Sequence, residues 1–204
     1  MSSFDLILKG GRVYEGTGGP WYRADIGIRG DTIAEIGGLQ QAGAERVVDC
    51  ANMAVSPGFI DFHSHSDLMV FEDPSLGPKM MQGVTTELLG QDGIAAAPVR
   101  DERKTDWGRH LSGLLGNPDI EWDWASFEEY LAALERIRPG PNMACLLPQG
   151  NLRLWVMGME DRKPTPSARA ACPCLASAWP SMAVGADAGE PGAPIKTEVI
   201  VSAV

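Results

Sequence analysis

The chain has 204 residues, enough for one good-sized domain or for one small domain with part of another. Hydrophobic residues make up 44% and charged residues 22%, a balance that excludes a disordered chain. The formal net charge of −10 leaves no basic face to dominate, which argues against a nucleic-acid partner.

No apolar run approaches the ~20 residues of a membrane span, so no membrane partner is expected. The opening Met-Ser-Ser-Phe-Asp-Leu-Ile-Leu-Lys lacks the basic leader and long apolar core of a signal peptide. A cytoplasmic location is the default expectation. Four cysteines do not make a disulfide framework at this length. Cys50 and Cys145 sit in apolar surroundings and are expected as small core residues. Cys172 and Cys174 have no histidine or second cysteine pair that would complete a zinc site.

Residues 4–55 read as short β segments with turns. Phe4 to Lys9 leads through Gly10-Gly11 to Arg12-Val13-Tyr14. Ala24 to Arg29 and Thr32 to Ile36 both alternate apolar and polar residues around Gly30-Asp31, which predicts a hairpin. Arg46 to Cys50 is a further strand. The expectation is a small antiparallel β unit, over residues 1–55, without catalytic side chains.

The run from Met53 to Ile60 is apolar and β-rich, and Pro57-Gly58 interrupts it. Two of the chain's three histidines follow it, as His63-Ser64-His65. Side chains two apart on an extended chain point the same way, so both imidazoles project together from a strand end. That arrangement suits a metal ion. Asp61 is a candidate to orient the strand end or a ligand, or to cap the strand, and Asp67 is a weaker supporting candidate.

Beyond His65 the pattern turns to β/α. Ser75 to Gln82 predicts a short helix with Met80 and Met81 facing inward. Gly83 to Leu89 is a β-branched strand ending in Gly90-Gln91-Asp92-Gly93. Residues 99–125 form a long polar segment with Trp107, Trp122 and Trp124. Two readings stay open for it: a lid over the site, or an excursion that packs its tryptophans on the outside of a barrel. His110 is expected at the surface. Ser126-Phe127-Glu128-Glu129 is a capping box, and Phe127, Tyr130, Leu131, Leu134 and Ile137 follow at helical spacing. Asn142 to Leu147 is the next strand, followed by the Gln149 loop. His63 and Asp92 both follow strands, and their separation matches the ~30 residues that a (β/α)8 barrel spends per unit. In such barrels the site lies at the C-terminal strand ends, where His63, His65, Asp92 and Gln149 would gather.

Pro57-Gly58-Phe59-Ile60-Asp61-Phe62-His63-Ser64-His65 resembles the first-strand metal signature of the amidohydrolase superfamily. Three further pieces are similar to the N-acyl-D-amino-acid deacylases, or D-aminoacylases. They are Gln82-Gly83-Val84-Thr85-Thr86; Gly90-Gln91-Asp92-Gly93-Ile94 through Pro98; and Gly150-Asn151-Leu152-Arg153 with Val156-Met157-Gly158. The resemblance covers about residues 4–166. It implies an α/β protein: part of a small β-sandwich at 1–55 and the first units of a metal-dependent (β/α)8 barrel at 56–166. It also implies hydrolysis of a small-molecule N-acyl-D-amino acid to a carboxylate and a D-amino acid, with one or two zinc ions. His63 and His65 match the metal pair. Many members of the family carry a cysteine ligand where Asp92 stands; a carboxylate also binds zinc, so Asp92 is the third candidate ligand. Gln149 stands where a histidine is expected, and Arg153 is a candidate partner for the substrate carboxylate.

Further metal histidines and the general-base aspartate are implied on later barrel strands. This chain has no histidine after His110, and only three barrel strands are readable, near 55–60, 84–89 and 142–147. The composition shifts after Pro166, and no strand is legible again until Glu198 to Val201. Residues 167–204 are therefore expected to be an aberrant, out-of-frame tail, and the chain as given is expected to be inactive and aggregation-prone, with no catalytic residue confidently present. Two alternatives stay open: another amidohydrolase of hydantoinase or dihydroorotase type, and a non-catalytic fragment that binds a metal or a partner.

Overall fold

Ten residues of mostly β-prone sequence, Phe4–Val13, form the longest strand, β1, and the first of two units is built around it. The computed structural model describes residues 3–168, 171, 183–184 and 199–203. The chain divides into one unit of Met1–Phe59 with Pro194–Val204 and a second of Ile60–Ala193.

In the first unit, β2 (Tyr22–Arg29) and β3 (Thr32–Gly37) form the expected hairpin, and β2 pairs antiparallel with β1. The rest of the sheet corrects the antiparallel expectation. β4 (Ala44–Asp49) and β5 (Met53–Pro57) both run parallel to β1. β4 pairs with Phe4 to Lys9, and β5 takes Arg12 and Val13. A single long strand therefore serves two partners in succession, and its register shifts between Leu8 and Gly11. Gly10, at φ +73°, takes the left-handed conformation that this irregularity needs. Buried Asp25 fastens it: Oδ1 accepts from Gly10 N–H at 2.8 Å and Oδ2 from Leu39 N–H at 2.9 Å. The strand legible at the far end of the sequence, Val199–Ala203, adds antiparallel to β5. Leu8, Val13, Ile26, Cys50 and Val55 form the unit's larger buried cluster.

The second unit carries a four-stranded sheet. Its order is β6 (Phe59–Asp61), β7 (Val84–Leu89), β8 (Asn142–Cys145) and the two-residue β9 (Ala183–Val184). β7 and β8 are parallel, and β9 is antiparallel to β8. The run from Met53 to Ile60 thus divides at Gly58 into two strands of different sheets. Between β6 and β7 lie two short helices, α1 (Met69–Glu72) and α2 (Gly77–Met80). Met81 is 88% exposed, against the inward placement expected of it. One helical turn cannot aim Lys79, Met80 and Met81 all at the core, and Lys79 takes the inner position.

Between β7 and β8 the 99–125 segment packs two of its tryptophans, Trp107 and Trp124, into the core of the second unit. It contains a helix, α3 (Lys104–Leu115), whose Trp107, Leu111 and Leu115 are buried four apart. Trp124 is buried beside them, and its indole N–H donates to Ala96 O at 3.2 Å. His110 is exposed, as expected, and its ring stacks on Trp107. α4 (Phe127–Ile137) buries Phe127, Tyr130, Leu131, Ala133 and Leu134 in the same core. Ser126 accepts from Glu129 N–H at 3.1 Å, and the Glu129 carboxylate returns to Ser126 N–H at 2.8 Å. α5 (Gln149–Met157) follows β8. Cys50 and Cys145 are buried free thiols; Cys172 and Cys174 lie outside the described residues. Among the described residues, no helix is long and apolar enough to cross a membrane.

The Ser126 cap ends a donor shortage at the helix start, so Ser126→Ala is expected to lower unfolding free energy by about 1 kcal/mol in urea titrations. The amides of Ser126 and Ala125 hold the Glu129 carboxyl below its ordinary range. Its contribution is accordingly complete above the usual carboxylate pKa and fades as the pH falls below it.

Candidate metal centre

β6 ends at Asp61, and that carboxylate sets the path of the next residues. Its Oδ1 accepts from His63 N–H at 3.2 Å, and its Oδ2 accepts from Lys79 Nζ at 3.0 Å. Burial works to raise the Asp61 pKa, but the hydrogen bonds from Lys79 and His63 outweigh it and hold the carboxyl below its ordinary value. Asp61 thus acts as the strand-end cap.

The third member of the cluster comes from the end of β7. Gly90, at φ +76°, turns the chain where an added Cβ would lie 2.3 Å from Leu146 O. Only glycine fits that approach. A 3-10 turn, Gln91–Gly93, follows, with Asp92 in the left-handed region at φ 57°. Aspartate tolerates that conformation better than most residues. The Gln91 side chain donates to Phe62 O at 2.7 Å and Leu88 O at 3.1 Å, so it laces the β7 turn to the histidine segment.

These turns bring His63, His65 and Asp92 together. Each offers a ligand atom within 4.8 Å of the others. Nε2 of His63 lies 3.1 Å from Asp92 Oδ2, and Nε2 of His65 lies 3.2 Å from the same oxygen. A tetrahedral zinc site with bonds of about 2.0–2.1 Å has ligand atoms roughly 3.3 Å apart, so these separations fit an ion with little movement. Two imidazole nitrogens and one carboxylate oxygen also suit zinc chemically. The His63 and Asp92 side chains are 59% and 57% exposed, and His65 only 16%, so the cluster opens to solvent on one side. His65 Nδ1 is buried and has no hydrogen-bond partner.

Behind the histidines is a polar network that the sequence did not single out. Glu87, on β7, is fully buried. Lys79 Nζ reaches Glu87 Oε2 at 2.9 Å, Ser64 Oγ at 2.7 Å and Asp61 Oδ2 at 3.0 Å. Ser64 Oγ donates to Glu87 Oε2 and lies 3.1 Å from Ser66 Oγ. The available signal was a lone glutamate in the apolar strand Val84 to Leu89, because a buried carboxylate requires a cation. Asp67 is also fully buried, with neither carboxylate oxygen hydrogen-bonded. Burial pushes its carboxyl up to about 7.

The remaining expected residues sit on α5. Gln149 is exposed in its first turn, where the backbone comes close to Gly93, next to Asp92. The Arg153 guanidinium donates to the carbonyls of Gly158, Glu160 and Arg162, at 3.4, 2.7 and 3.3 Å, and so holds the end of α5. Asn151, in the same motif, is fully buried and bonds Ala95 N–H and the carbonyls of Ala95 and Pro98.

Removing the lysine would leave a buried carboxylate without its counter-charge. Lys79→Met is expected to cost roughly 2–3 kcal/mol in urea unfolding, below the ~3–5 of a fully buried pair because the lysine is partly exposed. Lys79→Met with Glu87→Gln is expected to recover most of that loss.

The amidohydrolase family model matches residues 46–171. An N-acyl-D-glutamate deacylase of Alcaligenes xylosoxydans xylosoxydans is 43% identical over 192 residues, covering 93% of this chain and 38% of that protein. A D-aminoacylase of the same organism is 36% identical over 211 residues, covering 97% of this chain and 41% of that protein, so the similarity runs past residue 166. The crystal structure of an N-acyl-D-glutamate deacylase from Bordetella bronchiseptica, complexed with zinc and a phosphonate inhibitor, superposes with a TM-score of 0.76. It is 37% identical, and the match covers 87% of this chain and 36% of that one. The chain therefore spans about two fifths of the length of the curated relatives it matches. With its model matched over most of the sequence, its histidine pair at the end of the strand that opens the second sheet, and its mixed α/β architecture, this chain belongs to the amidohydrolase family.

Proposed function

We propose that the chain carries part of the active site of a zinc-dependent hydrolase of N-acyl-D-amino acids, with His63, His65 and Asp92 as metal donors. The convergence of their three ligand atoms within 4.8 Å carries this reading. The relatives supply the substrate class: an N-acyl-D-glutamate deacylase and a D-aminoacylase. The products would be a carboxylate and a D-amino acid.

The chain's own residues would hold and orient. His63 and His65 present imidazole nitrogens, and Asp92 contributes oxygen where many D-aminoacylases place a cysteine. Asp61 fixes the backbone at His63, and Gln91 fixes the Asp92 turn against Phe62. Zinc, when bound there, lowers the pKa of water toward ~7 and polarises the amide carbonyl. The substrate roles expected of Gln149 and Arg153 have less support, since Arg153 is engaged with three carbonyls.

The second unit fits the first strands of a (β/α)8 barrel. β6, β7 and β8 are neighbours in chain order, β7 and β8 are parallel, and α3 and α4 lie in the connection between them. β6 is an outer strand of the described sheet, and Ile60 and Phe62 near its end are 53% and 68% exposed. An apolar edge of this kind favours self-association. Phe62→Ser is expected to reduce aggregation, read by light scattering during concentration of the purified chain.

Three donors leave the fourth position of a tetrahedral ion to water or substrate, and among the described residues no further group joins them. Because it spans about two fifths of its relatives' length, the 204-residue chain is expected to bind about one zinc ion without sustained turnover of N-acetyl-D-glutamate. Metal analysis after dialysis tests the binding, which His63→Ala with His65→Ala should abolish. Zinc retained by that double variant would overturn the donor assignment, and steady hydrolysis by the chain alone would overturn the incomplete-site reading.

A further inference from the structure

We infer that Lys79 is a positioning residue of the metal centre: its ammonium sets the separation between the His63-Ser64-His65 segment and the β7 segment that leads to Asp92. The inference rests on the reading of His63, His65 and Asp92 as metal donors. It assigns a role to a group that touches none of them.

A lysine ammonium has three hydrogens, and here all three are used: on Asp61 Oδ2, Ser64 Oγ and Glu87 Oε2. Neutralising Glu87 alone would need only one of these contacts. The other two fall on the residues that bracket His63. Asp61 holds His63 by its backbone N–H, and Ser64 is joined by peptide bonds to His63 and, on its other side, to His65. Ser64 turns its hydroxyl inward to Glu87, while the imidazoles on either side meet Asp92. Glu87 in turn stands on β7, five residues before Asp92 along the same strand and turn. One cation therefore spans both arms of the cluster from behind.

The charge balance favours the same role. A lone ammonium behind a cation site would repel the ion. Here two carboxylates accompany it, so Lys79, Asp61 and Glu87 together carry one net negative charge. Lys79 can thus brace the donors without opposing metal entry. Ligand geometry is sensitive to such support, because donors must be held within about 0.5 Å of their working positions.

The test is Co²⁺ titration of the full chain, followed by visible absorption, with urea unfolding measured in parallel. The unsubstituted chain is expected to show a Co²⁺ band that His63→Ala with His65→Ala removes. Lys79→Met with Glu87→Gln leaves no buried charge orphaned, since the Asp61 carboxylate that also loses its partner is partly exposed, and is expected to keep the fold. It is expected to bind Co²⁺ at least tenfold more weakly and with an altered band, while its urea midpoint stays close to that of the unsubstituted chain. Ser64→Ala, which removes a hydroxyl only, is expected to weaken binding several-fold. Co²⁺ affinity within threefold and an unchanged band in the Lys79→Met, Glu87→Gln variant would overturn the positioning role and leave the donor assignment standing. A Co²⁺ band absent from the unsubstituted chain, or insensitive to the histidines, would overturn both.

Discussion

A carboxylate with no access to water is the constraint around which the second unit is arranged. Glu87 is fully buried on a strand whose other residues are apolar or β-branched. Its charge is tolerable only because Lys79 and Ser64 are brought to it. That requirement explains several local features at once. α2 is a single turn that aims Lys79 inward, and Met81 is left outside. The segment between the histidines is drawn down toward β7, and Asp61 is held at the exit of β6. The side of the cluster that carries His63 and Asp92 is open and polar; the side behind it is closed by an ionic network.

The sequence made the strands and the capped helix legible because each depends on neighbours in the chain. Ser126 and Glu129 are three apart, and the apolar face of α4 repeats at the helical period. The histidine pair was legible for the same reason: two residues, one strand end, one direction. Asp92 is legible from its place after a strand, one β/α unit beyond His63, and from the resemblance to the D-aminoacylases, and the structure brings it within 3.1 Å of His63.

What was missed depends on packing between distant residues. α3 was hidden because Gly108, Gly113 and several polar residues dilute its face, although Trp107, Leu111 and Leu115 mark it four residues apart. The parallel pairing of β4 and β5 with β1 could not be read, because strand sequence does not encode direction. Lys79 gave no pattern, since its role needs Asp61, Ser64 and Glu87 in three dimensions. The contacts of the Arg153 guanidinium with the carbonyls of Gly158, Glu160 and Arg162, at the end of α5, are likewise not legible in its motif.

The oxygen at position 92 has a consequence for redox chemistry. A thiolate in this place could be oxidised to sulfenic acid or captured in a mixed disulfide, and metal loading would then follow the oxidation state of the surroundings. A carboxylate undergoes neither reaction. The described thiols, Cys50 and Cys145, are buried away from solvent. A centre built on His63, His65 and Asp92 would therefore keep its donor set under oxidative stress. The exchange of sulfur for oxygen gives up a soft ligand and gains indifference to oxidants.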